Sequence, residues 1–145
     1  LIPELSGLYL PVCLDRDLFG QAIINLLSNA IKYTPPGGEV RLRSRMAETS
    51  AEIEVRDTGM GIPASSLPHI FERFYRVPEN TSAATGTGLG LALVHGIVSE
   101  LHNGRMTVQS TPGSGSCFGI SIPLGHLKIS KKKSDSTQIV PGAVR

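Results

Sequence analysis

The sequence predicts an α+β fold: a two-layer sandwich whose mixed, mostly antiparallel sheet carries helices on one face. Three observations predict it. A long amphipathic segment, Leu14–Pro35, reads as a helix. Two pairs of alternating segments, within Glu39–Asp57 and within Arg105–Pro123, read as hairpins. A glycine-rich run leads into a second helical stretch, Gly86–Leu101, between them. Strands joined as hairpins pair antiparallel, whereas parallel neighbours need long crossovers.

Each element has its own signal. Ser6–Val12 (SGLYLPV) reads as a short edge strand, where Pro11 is tolerated. In the following helix, Leu18, Ala22, Ile23, Leu26, Leu27, Ala30 and Ile31 recur at helical spacing. Asp15 stands at the N-cap position, and Pro35-Pro36-Gly37-Gly38 ends the helix. At about 100° per residue, Gln21, Asn25, Ser28, Asn29 and Lys32 form one polar stripe. An amide oxygen suits Mg²⁺, which binds few protein ligands and shares the rest with water and phosphate. A lysine one turn on can meet those phosphates. An amphipathic helix turning its polar side to water explains the stripe equally well.

Glu39–Met46 and Ala51–Asp57 alternate as half-exposed strands around a turn at Ala47–Ser50, with Ile53 and Val55 inward. The second strand runs into DTGMGIP, Asp57–Pro63. Gly59 and Gly61 permit positive φ and a close ligand, and Asp57 can accept from an exocyclic amine. Ser65–Arg76 reads as short helical turns with an aromatic cluster of Phe71, Phe74 and Tyr75. Val77–Thr85 reads as a mobile loop. Gly86, Gly88 and Gly90 open the second helix, an arrangement whose free N–H groups can cradle phosphate. His102-Asn103-Gly104 closes it. Arg105–Ser110, the turn Thr111–Gly115 and Ser116–Pro123 complete the second hairpin.

Composition narrows the class. At 145 residues with 40% hydrophobic content, one packed domain is expected over 1–124. From Gly125 onward five cations face one anion, so this part carries +4 of the overall +2 and the rest −2. A folded part without a basic surplus argues against a nucleic-acid module. Residues 125–145 have too little apolar content to fold and read as a disordered basic tail or linker. Cys13 and Cys117 lie far apart without metal-ligand spacing and read as buried free thiols of a reducing compartment. No apolar run reaches the length of a membrane span.

The glycine loops fit neither of two common nucleotide folds. There is no GxxxxGK[ST]. GTGLG is GxGxG and follows a polar loop rather than a strand, unlike a dinucleotide crossover. Taken together, NLLSNAIKYTP, DTGMGIP, FERFYR, GTGLGLA and TPGSGSCF stand in the order and spacing of bacterial sensor histidine kinases. They resemble the N, G1, F, G2 and G3 boxes of the catalytic ATP-binding domain across about Leu8–Leu124. The resemblance implies the Bergerat sandwich shared with gyrase B, Hsp90 and MutL ATPases, with ATP and Mg²⁺ in its site.

It also implies roles. Asn29 resembles the Mg²⁺ ligand, with Asn25 beside it; Lys32 resembles a phosphate contact and Tyr33 a contact near the adenosine. Asp57 resembles the adenine N6 acceptor, with Gly59, Gly61 and Ile62 shaping that pocket. Tyr75 and Arg76 match positions near the nucleotide, Arg76 toward the γ-phosphate. Gly86, Thr87, Gly88, Leu89 and Gly90 match the phosphate-wrapping loop, and Val77–Thr85 the lid. Ser116 stands where the family often has Thr, near the adenine.

In the gyrase and Hsp90 relatives a water-activating Glu stands four residues before the metal-binding Asn. Here that position is Asn25, which has no useful basicity. The resemblance therefore implies a kinase that holds the γ-phosphate for another acceptor, with Asn25, Lys32 and Arg76 in the catalytic set. His69, His95, His102 and His126 lie outside the family's phosphoacceptor pattern. The expected partners are a histidine-bearing dimerisation domain preceding Leu1 and a response-regulator receiver domain. The chain alone is expected to be monomeric and cytoplasmic, and its parent a homodimer, membrane-anchored or not. An anti-sigma-factor-type serine kinase and a non-catalytic nucleotide-gated module are the alternatives.

Overall fold

The computed structural model describes residues 1–5, 12–78 and 86–125. Strand β1 is Ile2–Glu4, helix α1 Arg16–Tyr33, β2 Val40–Met46 and β3 Ser50–Asp57. A 3₁₀ turn follows at Leu67–His69. Helix α2 is Gly90–His95, continued in π form through Gly96–Leu101; β4 is Arg105–Thr111 and β5 Gly115–Pro123. The strands form one mixed sheet in the order β1-β2-β3-β5-β4. Among the described residues only the β1–β2 pairing is parallel.

α1 begins where the sequence places it. The Asp15 carboxylate accepts from the N–H groups of Asp17 (3.0 Å) and Leu18 (2.9 Å), satisfying two otherwise unpaired donors. At the far end the Thr34 hydroxyl donates to the Ala30 carbonyl at 2.6 Å. Phe19, Ala22, Leu26 and Ala30 form its buried face. They meet Val40, Val55, Phe118, Ile120 and Ile122 of the sheet and Val94, Ile97 and Val98 of the second helix in one core. Burying a side chain such as Leu26 contributes about 1.5–3 kcal/mol.

One element differs from expectation, and another falls mostly outside the described residues. The second helix changes pitch at Gly96. His102 Nδ1 donates to the carbonyl of Ile97, five residues back, at 2.7 Å, and Nε2 accepts from Asp15 N–H at 2.8 Å. The wider winding thus ends on a ring that ties this helix to the start of α1. The expected edge strand Ser6–Val12 lies, except for Val12, outside the described residues, and Val12 is not in a strand. Among the described residues the edge beside β2 is β1, three residues long and held by charge: the Glu4 carboxylate bonds Arg41 at 2.9 Å and Arg43 at 2.7 and 2.9 Å. The Arg43 hydrogen bond, aided by Arg41, holds the Glu4 carboxyl below the usual range.

Cys13 is exposed, which corrects the expectation of two buried thiols; its neighbours Val12 and Leu14 pack against the core, and the residue between them is turned outward. Cys117 is half-buried, and burial with the nearby Glu54 charge pushes its thiol pKa up. Most of the segment read as a lid, 79–85, and residues 126–145 of the expected tail lie outside the described residues. Among the described residues no helix is long and apolar enough to cross a membrane.

Candidate functional site: a cavity between the two helices and the sheet end

Strand alternation builds one end of the site. Ala51 and Val55 face the core from β3, and Asp57 continues that row; Phe118, Ile120 and Ile122 do so from β5, and Ser116 continues theirs. The core rows therefore end in polar groups: Asp57 is 7% exposed and Ser116 9%. Asp57 Oδ1 accepts from Gly59 N–H at 2.8 Å and from Ser116 N–H at 3.2 Å. With both amides on Oδ1, Oδ2 is the oxygen left for an incoming donor. Burial pushes the Asp57 carboxyl above the ordinary range, and the two amide bonds only partly offset it.

The glycine turn after β3 is pinned on two sides. Met60 N–H donates to the Tyr33 carbonyl at 3.1 Å, Ile62 N–H to the Ser110 hydroxyl at 2.8 Å, and Gly113 N–H to the Met60 carbonyl at 2.7 Å. Gly61 has φ +71° and packs against the Thr111 carbonyl, so a side chain there is both strained and obstructed.

Helix α1 builds the other end. Gln21, Asn25, Asn29 and Lys32 line a cavity of about 380 Å³, a volume within the range of small-molecule sites. The glycine loop before α2 closes over them. A Cβ at Gly86 would lie 2.7 Å from Lys32 Nζ; one at Gly90 would lie 3.7 Å from Asn25 Oδ1 and 3.9 Å from Asn29 Nδ2. Gly88, at φ +73°, accepts from Phe74 N–H at 2.9 Å. Lys32 Nζ also stands 5.1 Å over the Tyr33 ring. Tyr75 is fixed in the wall by its hydroxyl, 3.0 Å from the buried Ser66 hydroxyl, and by the His69 ring at 5.5 Å.

The cavity thus unites fifteen of the residues the sequence marks: Asn25, Asn29, Lys32, Tyr33, Asp57, Gly61, Ile62, Tyr75, Arg76, the run Gly86, Thr87, Gly88, Leu89 and Gly90, and Ser116. Gly59 does not line it. Its place is behind Asp57, where a Cβ would strike the Tyr33 carbonyl. Val77, the first residue of the segment matched to the lid, lines it too, and sequence reasoning missed Ala30, Ile70, Leu91, Leu93 and Phe118, which also line it. Their periodicity marks a core, and nothing local separates a core side chain from a cavity floor. Gln21 lies on the polar stripe four residues before Asn25, which is the signal that could have found it. The aromatic cluster divides: Phe71 and Tyr75 pack on the core, and Phe74 is 72% exposed with φ 66°.

Among the described residues no three His, Cys, Asp or Glu side chains converge. Two amides on one helix face, beside a lysine and a glycine loop, fit Mg²⁺, which takes one or two protein oxygens and completes its shell with phosphate and water.

An acidic acceptor at one end of an apolar cavity, and amides, a cation and a glycine loop at the other, define an α+β nucleotide-binding domain. Known proteins share the sequence pattern and the fold. The family model described as histidine kinase-, DNA gyrase B- and HSP90-like ATPase matches residues 14–126, and the chain belongs to that family. It is 46% identical over 110 residues to the sensor-like histidine kinase SenX3 of Mycolicibacterium smegmatis, covering 75% of this chain and 28% of that protein. It is 46% identical over 98 residues to the phosphate regulon sensor protein PhoR of Pseudomonas aeruginosa, covering 67% and 22%. It is similar to the solved catalytic domain of the histidine kinase ThkA, at TM-score 0.73 and 29% identity, covering 85% and 78%. A mycobacterial sensor histidine kinase, MprB, follows at TM-score 0.72 and 33% identity, covering 84% and 80%. This is the ATP-binding catalytic domain of a sensor histidine kinase. The chain spans about a quarter of the length of the two curated relatives.

Proposed function

We propose that this domain presents the γ-phosphate of Mg²⁺-bound ATP to a histidine on a separate helical domain, as the donor half of a protein-histidine kinase. One observation carries the reading. Asp57 is the only carboxylate that lines the cavity among the described residues, and its Oδ1 already accepts two backbone amides at the sheet end. The α1 wall opposite the glycine loop offers amides and an ammonium instead. An amide cannot take a proton from water at neutral pH. ATP would then be held with its terminal phosphate poised, and catalysis would come from positioning and charge neutralisation.

In this reading Asp57 Oδ2 accepts the adenine amino group, while Ile62, Ile70 and Phe118 enclose the ring. Tyr33 packs near the sugar. Lys32 and the backbone of Gly86–Gly90 meet the phosphates, and Arg76 approaches the terminal one. Asn29, with Asn25 beside it, would hold Mg²⁺, which supplies neutralisation of the phosphate oxygens. The onward acceptor is an aspartate of a response-regulator receiver domain, and the parent is a homodimer in which the histidine domain precedes this one. A cytoplasmic location follows from the supply of ATP.

The test is reconstitution. This chain, mixed with the helical domain of its parent and γ-labelled ATP, should label the histidine of that domain; Asn29→Ala should abolish the label. Label on a residue of this chain, or rapid phosphate release without acceptor, overturns the proposal.

A further inference from the structure

Ser110 belongs to none of the residues assigned above, yet its hydroxyl stands at the junction of three elements. Its oxygen lies 2.8 Å from Ile62 N, 2.9 Å from the Gly115 carbonyl oxygen and 3.0 Å from Ser116 Oγ. β4 and β5 pair Ser110 directly with Ser116. A serine hydroxyl has one proton to give and two lone pairs to receive with. Ile62 N–H can only donate, so it takes one lone pair. The Gly115 carbonyl can only accept, so it takes the proton; otherwise two lone pairs would face each other at 2.9 Å. What remains is one lone pair, and Ser116 must fill it by donating. All three valences of Ser110 are then used, in the single arrangement that satisfies them.

The consequence falls on Ser116. Its proton is committed inward, toward Ser110, so only lone pairs remain for the cavity it lines. Its N–H is already given to Asp57 Oδ1. Asp57 Oδ2 accepts as well. The sheet end of the cavity therefore offers two side-chain acceptors, Asp57 Oδ2 and Ser116 Oγ, and neither the N–H nor the O–H of Ser116 is left to donate.

We propose that Ser110 is a positioning residue for base selection: by fixing the Ser116 proton inward it makes this end admit a 6-amino purine and reject a 6-oxo purine. An amino group donates to such a rim, whereas a carbonyl oxygen meets lone pairs. The proposal rests on the nucleotide reading of the cavity and adds to it a residue outside the ligand's reach.

The test is the ratio of the dissociation constants of inosine triphosphate and ATP, each with Mg²⁺, by calorimetry on this chain. The two ligands share sugar and phosphates, so a merely loosened site weakens both and leaves the ratio unchanged. Wild type should favour ATP. Ser110→Ala frees the Ser116 hydroxyl to turn and donate, and should reduce the ratio about tenfold, the effect of one ordinary hydrogen-bond preference. Ser110→Thr keeps a hydroxyl and should restore the ratio. In Ser116→Ala the ratio should fall as well, and adding Ser110→Ala should change it no further.

An unchanged ratio in Ser110→Ala, or equal weakening of both ligands, overturns the proposal while leaving ATP binding intact. Absence of ATP binding by folded wild type instead overturns the nucleotide reading itself. Should Ser110→Ala fail to melt cooperatively, the Ser116 hydroxyl proton in wild type decides by nuclear magnetic resonance. Held between the two oxygens it exchanges slowly with water; fast exchange overturns the proposal.

Discussion

The two faces of the sheet carry polar groups for different reasons. On the outer face Arg41, Arg43 and Arg45 alternate along β2 and pair with Glu4, Glu39 and Glu52. Glu4 and Glu39 reach Arg41 from either side, and Arg45 meets Glu52 at 2.6 Å. These side chains are 26–63% exposed. On the inner face Ser44 of β2 is half-buried opposite Ile53, and the buried polar residues stand where the apolar rows of β3 and β5 end, at Asp57 and Ser116, beside the half-buried Ser110 of β4. There Asp57 and Ser116 are largely closed to water, and each finds a partner within the fold or in a ligand. The same period-two alternation thus yields a solvated charge ladder on one side and a recognition edge on the other. The lesson is that position along the row, not residue type, separates a binding carboxylate from a structural one.

The comparison breaks most readily in the core between the faces. Phe118→Ala should cost about 3–5 kcal/mol by cavity formation and lost burial. Denaturant melts would check it; a loss under about 1 kcal/mol would mean that the inner rows do not hold the layers together. Asp57→Asn comes next. It keeps an oxygen for the Gly59 and Ser116 amides but exchanges a charged acceptor for an amide. ATP affinity should fall about 10- to 100-fold, the loss of a charge-assisted bond, while stability holds or rises. Arg45→Ala on the outer face should change stability by less than about 1 kcal/mol and leave ATP affinity unchanged.

Acidity sharpens the contrast because Asp57 and Glu4 shift in opposite directions. The Asp57 carboxyl is raised, so the folded state binds more protons than the unfolded one as pH rises from the ordinary value toward the raised one. Its contribution to stability is therefore lost as pH rises through that window. ATP binding needs the ionised form and should weaken as pH falls through the same window. The Glu4 carboxyl is lowered, so its contribution is present above the ordinary value and lost as pH falls toward the lowered one. Asp57→Asn should flatten the pH dependence of binding in this window, and Glu4→Gln should not. Binding isotherms between pH 4 and 7 would separate them.

Much of this was legible from the chain. The polar stripe on α1, the glycine turn after β3 and the loop before α2 are local patterns, and the cavity unites them as expected. Asp57 could be read as a strand-end acceptor because DTGMGIP breaks the alternation beside it. β1 could not be read: three residues have no period, and its place is set by Glu4 meeting two arginines 37 and 39 positions away. Ser110 could not be read either. Its neighbours Ile62 and Ser116 come together only because β5 lies between β3 and β4, an order that no local pattern reveals. The pitch change at Gly96 has the same origin, since the His102 ring that ends it is held by Asp15 at the start of α1.

The most direct test of the central claim is a calorimetric titration of Mg²⁺-ATP into this chain and into Asp57→Asn, with thermal melts of both. The account predicts saturable binding by wild type, binding by the variant weaker by tenfold or more, and equal or higher melting temperature for the variant. Folded wild type that gives no saturable heat, or a variant that binds as tightly, would contradict it.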